Sequence, residues 1–123
     1  MTEAPLILVV DDDEMNRELM VTVLNRTGYR TIEAINGNQA LTMAASQSPV
    51  LILLDIRMPD ISGYEVCSRL KADPITQAIK VIILSAYEND TERQNAMNAG
   101  ADDFIPKMHG WVQIVERIKE MMS

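Results

Sequence analysis

The stretch that most constrains this chain is VLILLDIRMP at positions 50–59. Val50 to Leu54 run without a polar break and end in one carboxylate, Asp55. Pro49 and Pro59 bracket the run. An unbroken aliphatic segment of this length suits a strand buried on both faces, and such strands belong to parallel sheets. Asp55 is then delivered to the carboxyl end of a central strand, where open α/β sheets place their ligand sites. A lone aspartate in that position more often just caps a turn. The choice between the two depends on how the other strands end.

Leu6 to Val10 (LILVV) is a second all-apolar strand, closed by Asp11-Asp12-Asp13-Glu14. These acids open a helix, where negative charge is favoured by the helix dipole. Met15, Leu19, Met20, Val23 and Leu24 form its apolar stripe, and Gly28 ends it. Arg30 to Ala34 is a short strand, and Asn36-Gly37 leads into a helix through Ala40, Leu41, Ala44 and Ala45. After the central strand, Ser62 and Glu65 make a capping box for a helix with Val66, Cys67 and Leu70 inward, ending near Asp73-Pro74. Lys80 to Leu84 is a fourth buried strand, closed by Ser85-Ala86. Asn89 and Glu92 cap a helix over 90–99, mostly polar, with Ala96, Met97 and Ala99 as its core contacts. Asp103 to Ile105 is a short fifth strand, followed by Pro106-Lys107. The last helix, 111–122, carries Trp111, Ile114, Val115, Ile118 and Met121 or Met122 on one stripe.

Five β–α units without a linker or repeat predict one α/β domain over residues 1–123. Helices on both faces of a parallel sheet make it doubly wound and flavodoxin-like, a (βα)5 fold with five strands in the order 2-1-3-4-5. That order sets the first and third strands side by side. Asp11, Asp12 and Asp55 converge on one crevice, with Ser85 and Lys107 on neighbouring strand ends. Three carboxylates so placed repel one another, so one stays protonated or a cation joins them. An oxygen-only site suits a hard ion such as Mg²⁺, which keeps waters and phosphate oxygens among its ligands. Lys107 as a point charge and Ser85 as a donor are what a phosphoryl group needs. A carboxylate can also attack phosphorus to give an aspartyl phosphate.

Composition narrows the rest. A net charge of −7 argues against direct binding of nucleic acid or an anionic membrane. The single cysteine, Cys67, allows neither an internal disulfide nor a thiolate metal cluster. No run reaches membrane-spanning length and the start lacks a signal-peptide layout, so the chain reads as cytoplasmic.

Four segments, VVDDD at 9–13, LLDIRMPDISG at 53–63, LSA at 84–86 and DDFIPK at 102–107, resemble the response-regulator receiver domain of two-component signalling. The resemblance spans essentially the whole chain. It implies that Asp55 accepts a phosphoryl group from a histidine of a sensor histidine kinase or histidine phosphotransfer protein. It further implies that Asp12 binds Mg²⁺ directly, Asp11 mostly through water, and Arg57 through its backbone carbonyl. Ser85 and Phe104 take the switch positions and Lys107 that of the family's lysine. On this view Phe104 moves from an exposed to a covered position once Asp55 is phosphorylated. The signal then leaves through the helix at 90–99, the strand at 103–105 and the helix at 111–122, toward an output partner or a second copy in a phosphorylation-dependent dimer. Two departures stand out. Met108 follows the lysine where the family has proline, with Pro106 preceding it, and Phe104 replaces the commoner tyrosine.

Other residues have plainer readings. His109, the only histidine, is a solvated loop residue, since ligands normally come with partners at motif spacing. Asp13 and Glu14 are first-turn dipole residues, Cys67 fills core space, and Trp111 packs more readily than it recruits. Arg57 falls at the pocket rim, where it can tune the access of water. A competing function is an aspartate-nucleophile phosphatase of the haloacid dehalogenase type, with Asp11 and Asp13 as its Asp-x-Asp. Met15 stands where that motif wants Thr or Val, and the chain lacks room for a capping domain. A receiver that serves only as a scaffold is a third reading, opposed by the intact set of acids, hydroxyl and lysine.

Overall fold

The computed structural model describes residues 4–122. Strands and helices alternate throughout: β1 (Leu6–Val10), α1 (Glu14–Thr27), β2 (Arg30–Ala34), α2 (Gly37–Gln47), β3 (Leu51–Asp55) and α3 (Gly63–Ala72). They continue as β4 (Lys80–Ser85), α4 (Asp90–Asn98), β5 (Asp103–Pro106) and α5 (Trp111–Met122), with a 3-10 turn at Lys107–His109 before α5. The sheet is parallel throughout, in the order β2-β1-β3-β4-β5. The expected fold is the observed one.

Side chains alternate across each strand, so the sheet feeds two cores. Leu8, Val10, Ile52, Leu54, Val81 and Ile83 meet α2, α3 and α4 through Ala40, Ala44, Val66, Cys67, Leu70 and Ala96. Ile7, Val9, Leu51, Leu53, Ile82 and Leu84 meet α1 and α5 through Met20, Leu24, Ile114 and Ile118. Each Leu or Ile fully withdrawn from water contributes about 1.5–3 kcal/mol, so the central strands anchor everything attached to their ends. Val50 is the exception to the predicted run. It is exposed and precedes the strand, its amide bonded to Leu6 O and its carbonyl to Lys80 N.

Helix starts follow the sequence signals, with differences in detail. Asp13 is itself the α1 cap and accepts from Met15 N and Asn16 N. Asn36, Ser62 and Asn89 cap α2, α3 and α4. Neither expected box closes reciprocally, because Glu65 pairs with Arg69 and Glu92 takes the Tyr64 hydroxyl. The α1 stripe is also narrower than expected. Met20 and Leu24 are buried, whereas Met15 is 79% exposed and Leu19 about half so. Five residues at 100° each set Met15 about 140° around the helix from Met20, outside the face that meets the sheet. Ala45 on α2 and Met97 on α4 are likewise exposed, which leaves Ala96 as the one buried residue of α4. Trp111 is half-buried and packs on the second core.

Candidate functional site

Four strand ends meet at one edge of the sheet. Asp11 follows β1, and its amide donates to Ala34 O at 3.2 Å, which extends the β1–β2 ladder to the acid itself. The Asp11 carboxylate is buried and accepts from Asp13 N at 2.9 Å. Its backbone carbonyl accepts from Arg17 Nη1 at 2.9 Å, while Arg17 Nε holds Glu33 at 3.0 Å. Asp12, the next residue, is exposed. Asp55 ends β3 beside Leu84, so its backbone is fixed by pairing on the β4 side. Lys107 follows β5 and points back into the crevice.

Carboxylate oxygens of Asp11, Asp12 and Asp55 lie within 4.8 Å of one another. Lys107 Nζ sits 3.0 Å from Asp55 Oδ1 and 3.5 Å from Asp11 Oδ2. Burial pushes the Asp55 carboxyl above its usual range; Lys107 opposes this, and Asp11 and Asp12 add to it. Burial alone would lower Lys107, but the Asp55 and Asp11 carboxylates outweigh it and hold the ammonium above its ordinary value. One cation against three carboxylates leaves an excess of negative charge. Oxygen donors alone, with no imidazole or thiolate among them, suit Mg²⁺ or another hard ion. The residues fit the ion.

Ser85, buried at the end of β4, accepts from Tyr87 N at 3.0 Å. The Arg57 guanidinium lies 5.3 Å from the centre of the Tyr87 ring, at the rim. Phe104 corrects an expectation. It is already 2% exposed, within the first core, and Arg93 lies 5.0 Å over its ring. Arg93 Nη1 also reaches Phe104 O at 3.5 Å. From this conformation the ring has no further apolar area to bury, so the proposed burial gain on switching is absent.

The remaining candidates stay outside the crevice. Asp13 is spent on capping α1. His109 is exposed and 3.2 Å from Glu88. Cys67 is fully buried, and burial pushes its thiol up to about 11, which keeps it unreactive. The stretch Pro106 to His109, where the proline order departs from the family, contains no cis peptide bond; Pro106 ends β5 and Lys107–His109 turn as a 3-10 helix. Arg17 and Gly63 were not singled out from the sequence. Arg17 signals itself only as a base one turn after the acidic run, and Gly63 as the last residue of LLDIRMPDISG.

Residues 7–119 match the family described as response regulator receiver domain. The chain belongs to that family. Its receiver sequence is 38% identical over 115 residues to the response regulator PleD of Caulobacter vibrioides, covering 94% of this chain and 25% of that protein. It is 37% identical over 116 residues to the phosphate regulon transcriptional regulatory protein PhoB of Pseudomonas aeruginosa, covering 94% of this chain and 51% of that one. The chain thus spans between a quarter and a half of the length of these relatives. Among solved structures, response regulator TrrA of Thermotoga maritima, in complex with Mg²⁺-BeF, superposes with a TM-score of 0.85 at 34% identity. That likeness covers 94% of this chain and 97% of TrrA. The receiver domain is a phosphoacceptor signalling module of two-component systems rather than an enzyme acting on a separate substrate. The haloacid dehalogenase reading falls with the family match, and structurally because the second aspartate of its motif is the α1 cap. No helix among the described residues is long and apolar enough to cross a membrane.

Proposed function

We propose that Asp55 is the phosphoacceptor and takes its phosphoryl group from the phosphohistidine of a sensor kinase or histidine phosphotransfer protein in the cytoplasm. The observation that carries this reading is the 3.0 Å contact of Lys107 with Asp55 inside a crevice of three carboxylates. An Asp55 oxygen attacks phosphorus, the P–N bond breaks with its electron pair returning to nitrogen, and the donor imidazole, protonated on its other ring nitrogen, leaves neutral. Lys107 meets the charge that develops on the phosphoryl oxygens, as a point charge already in place. Ser85 uses an oxygen lone pair on Tyr87 N, and its hydroxyl proton serves a phosphoryl oxygen. Mg²⁺, held by Asp11, Asp12, Asp55 and the Arg57 carbonyl, would offset the charge of the incoming group and orient it. Arg57, stacked on Tyr87, limits the approach of water and so sets the lifetime of the product. Exposed Met15 and Met108 offer the donor protein apolar contacts from α1 and from the turn after Lys107.

Incubation with acetyl phosphate and Mg²⁺ is expected to add the mass of one phosphoryl group to the intact chain, and to add none in EDTA. Millimolar Mg²⁺ is expected to raise the melting temperature, since an ion at 100 times its dissociation constant stabilises the folded state by about 2.7 kcal/mol. Labelling that is equal in EDTA, or that never occurs, would contradict the reading.

The output face in this proposal is α4, β5 and α5. Along the β5 edge runs a groove of about 540 Å³, lined by Arg93, Phe104, Pro106, Val112, Gln113 and Arg117 among others. α4 buries only Ala96, so it is the helix most easily displaced. With Phe104 already inward, the phosphoryl group acts on Ser85 and Lys107 and thereby on the loops that lead into α4 and α5. Hydrogen exchange with and without beryllofluoride, a phosphoryl mimic, is expected to change protection within 86–120. Changes confined to α1 and α2 would contradict this route.

A further inference from the structure

The loop 56–62 joins Asp55 to α3, carries Arg57, and is fastened at both ends. At the near end Gly63 N donates to Ile56 O at 2.8 Å and closes the loop on itself. At the far end Asp60 and Ile61 dock on the first turn of α2. The Asp60 carboxylate accepts from Gly37 N at 2.9 Å and from Asn38 N at 2.8 Å. Two of the amides that a helix leaves unpaired at its start are therefore satisfied from another part of the fold. The Asn38 amide, with that of Gly37, holds the Asp60 carboxyl at about 2, so the contact persists at any physiological pH. Ile61 fits beside it because position 37 has no side chain: a Cβ there would come within 2.4 Å of Ile61 Cγ1.

α2 has its own capping at the same turn. Asn36 Oδ1 accepts from Gln39 N at 2.8 Å, and Gln39 Oε1 accepts from Ile35 N at 2.7 Å. The Asp60 side chain is exposed and adds nothing to either core. What Asp60 holds that these local caps do not is the loop itself. We propose that Asp60 is a positioning residue for the divalent cation: by tying the loop to α2 it fixes the backbone from which the Arg57 carbonyl would reach the ion. This rests on reading the pocket as a Mg²⁺ site.

Calorimetric titration with Mg²⁺ on wild type, Asp60→Ala and Asp60→Asn tests it. Loss of a group that orients a ligand weakens metal affinity by about 10-fold or more, and that is the expectation for Asp60→Ala. Asp60→Asn keeps an amide oxygen that can accept from one of the two amides, so its loss is expected to be smaller. Melting in EDTA reads the structural role separately, because a residue that served only α2 would lower the melting temperature and leave affinity intact. Unchanged affinity in both variants overturns the proposal. Wild type that binds no Mg²⁺ overturns the metal reading of the pocket and this proposal with it, a result distinguishable from the first.

Discussion

Replacing Gly63 with alanine is expected to destabilise the protein by about 3 kcal/mol, the upper end of the usual cost of overpacking. A Cβ at this position would lie 2.3 Å from the Asp55 carbonyl oxygen and 2.9 Å from the Ile56 Cα. Both are backbone atoms and cannot rotate aside. The strain therefore falls on the end of β3 and the start of α3, where Asp55 is presented. The melting temperature is expected to drop by about 10 °C. Displacing the acceptor by about an ångström is expected to slow phosphorylation about 100-fold. Gly28→Ala is the contrast. Nothing lies within 4 Å of a Cβ there, and only its φ of +107° opposes the change, at a cost of about 1 kcal/mol with no effect on labelling. Thermal melts and labelling rates of the two variants check both halves; a Gly63→Ala protein indistinguishable from Gly28→Ala would contradict the close approach.

Asp55→Asn is expected to abolish labelling while it stabilises the metal-free fold at neutral pH. The asparagine keeps size and hydrogen bonding but has no anionic oxygen to attack phosphorus. The gain in stability has a pH window. Burial, reinforced by Asp11 and Asp12, raises folded Asp55 above its usual 3.8 despite Lys107. Such a group binds its proton more tightly when folded, so ionisation costs more in the fold than in the unfolded chain. The penalty is absent below pH 3.8, grows as pH rises through the raised folded value, and is complete above it. The variant is therefore expected to melt above wild type at pH 7 in EDTA. That difference is expected to close as the pH falls below 3.8, where both side chains are neutral. Lys107 retains Asp11 at 3.5 Å in the variant, so it is not left as an unpaired buried charge.

The parts of this architecture that were legible beforehand share one physical basis. An apolar run long enough for a buried strand has only one chain direction, so the acid at its end must appear at the carboxyl edge. Applied to β1, β3 and β4, with the right-handed crossover rule, this brings Asp11, Asp55 and Ser85 to one crevice before any coordinates exist. Helix faces were less legible. Met15 and Leu19 share the i, i+4 spacing of Met20 and Leu24, and periodicity alone does not say which pair meets the sheet. Contacts made by a side chain reaching into another element left no local trace. Asp60 capping α2 and the Tyr64 hydroxyl on Glu92 each span more than 20 residues. The rotamer of Phe104 was likewise beyond sequence, because inward and outward positions bury different neighbours without changing any residue. Its 2% exposure within the first core is what identifies the inward one.

The central claim is that Asp55 itself carries the phosphoryl group, and fragment mass spectrometry of the labelled chain tests it most directly. Wild type incubated with acetyl phosphate and Mg²⁺ is expected to show the added mass on the peptide containing Asp55 and on no other, and Asp55→Asn to show none. A label on the peptide containing Asp11, Asp12 and Asp13, or a wild-type level of label in Asp55→Asn, would contradict it.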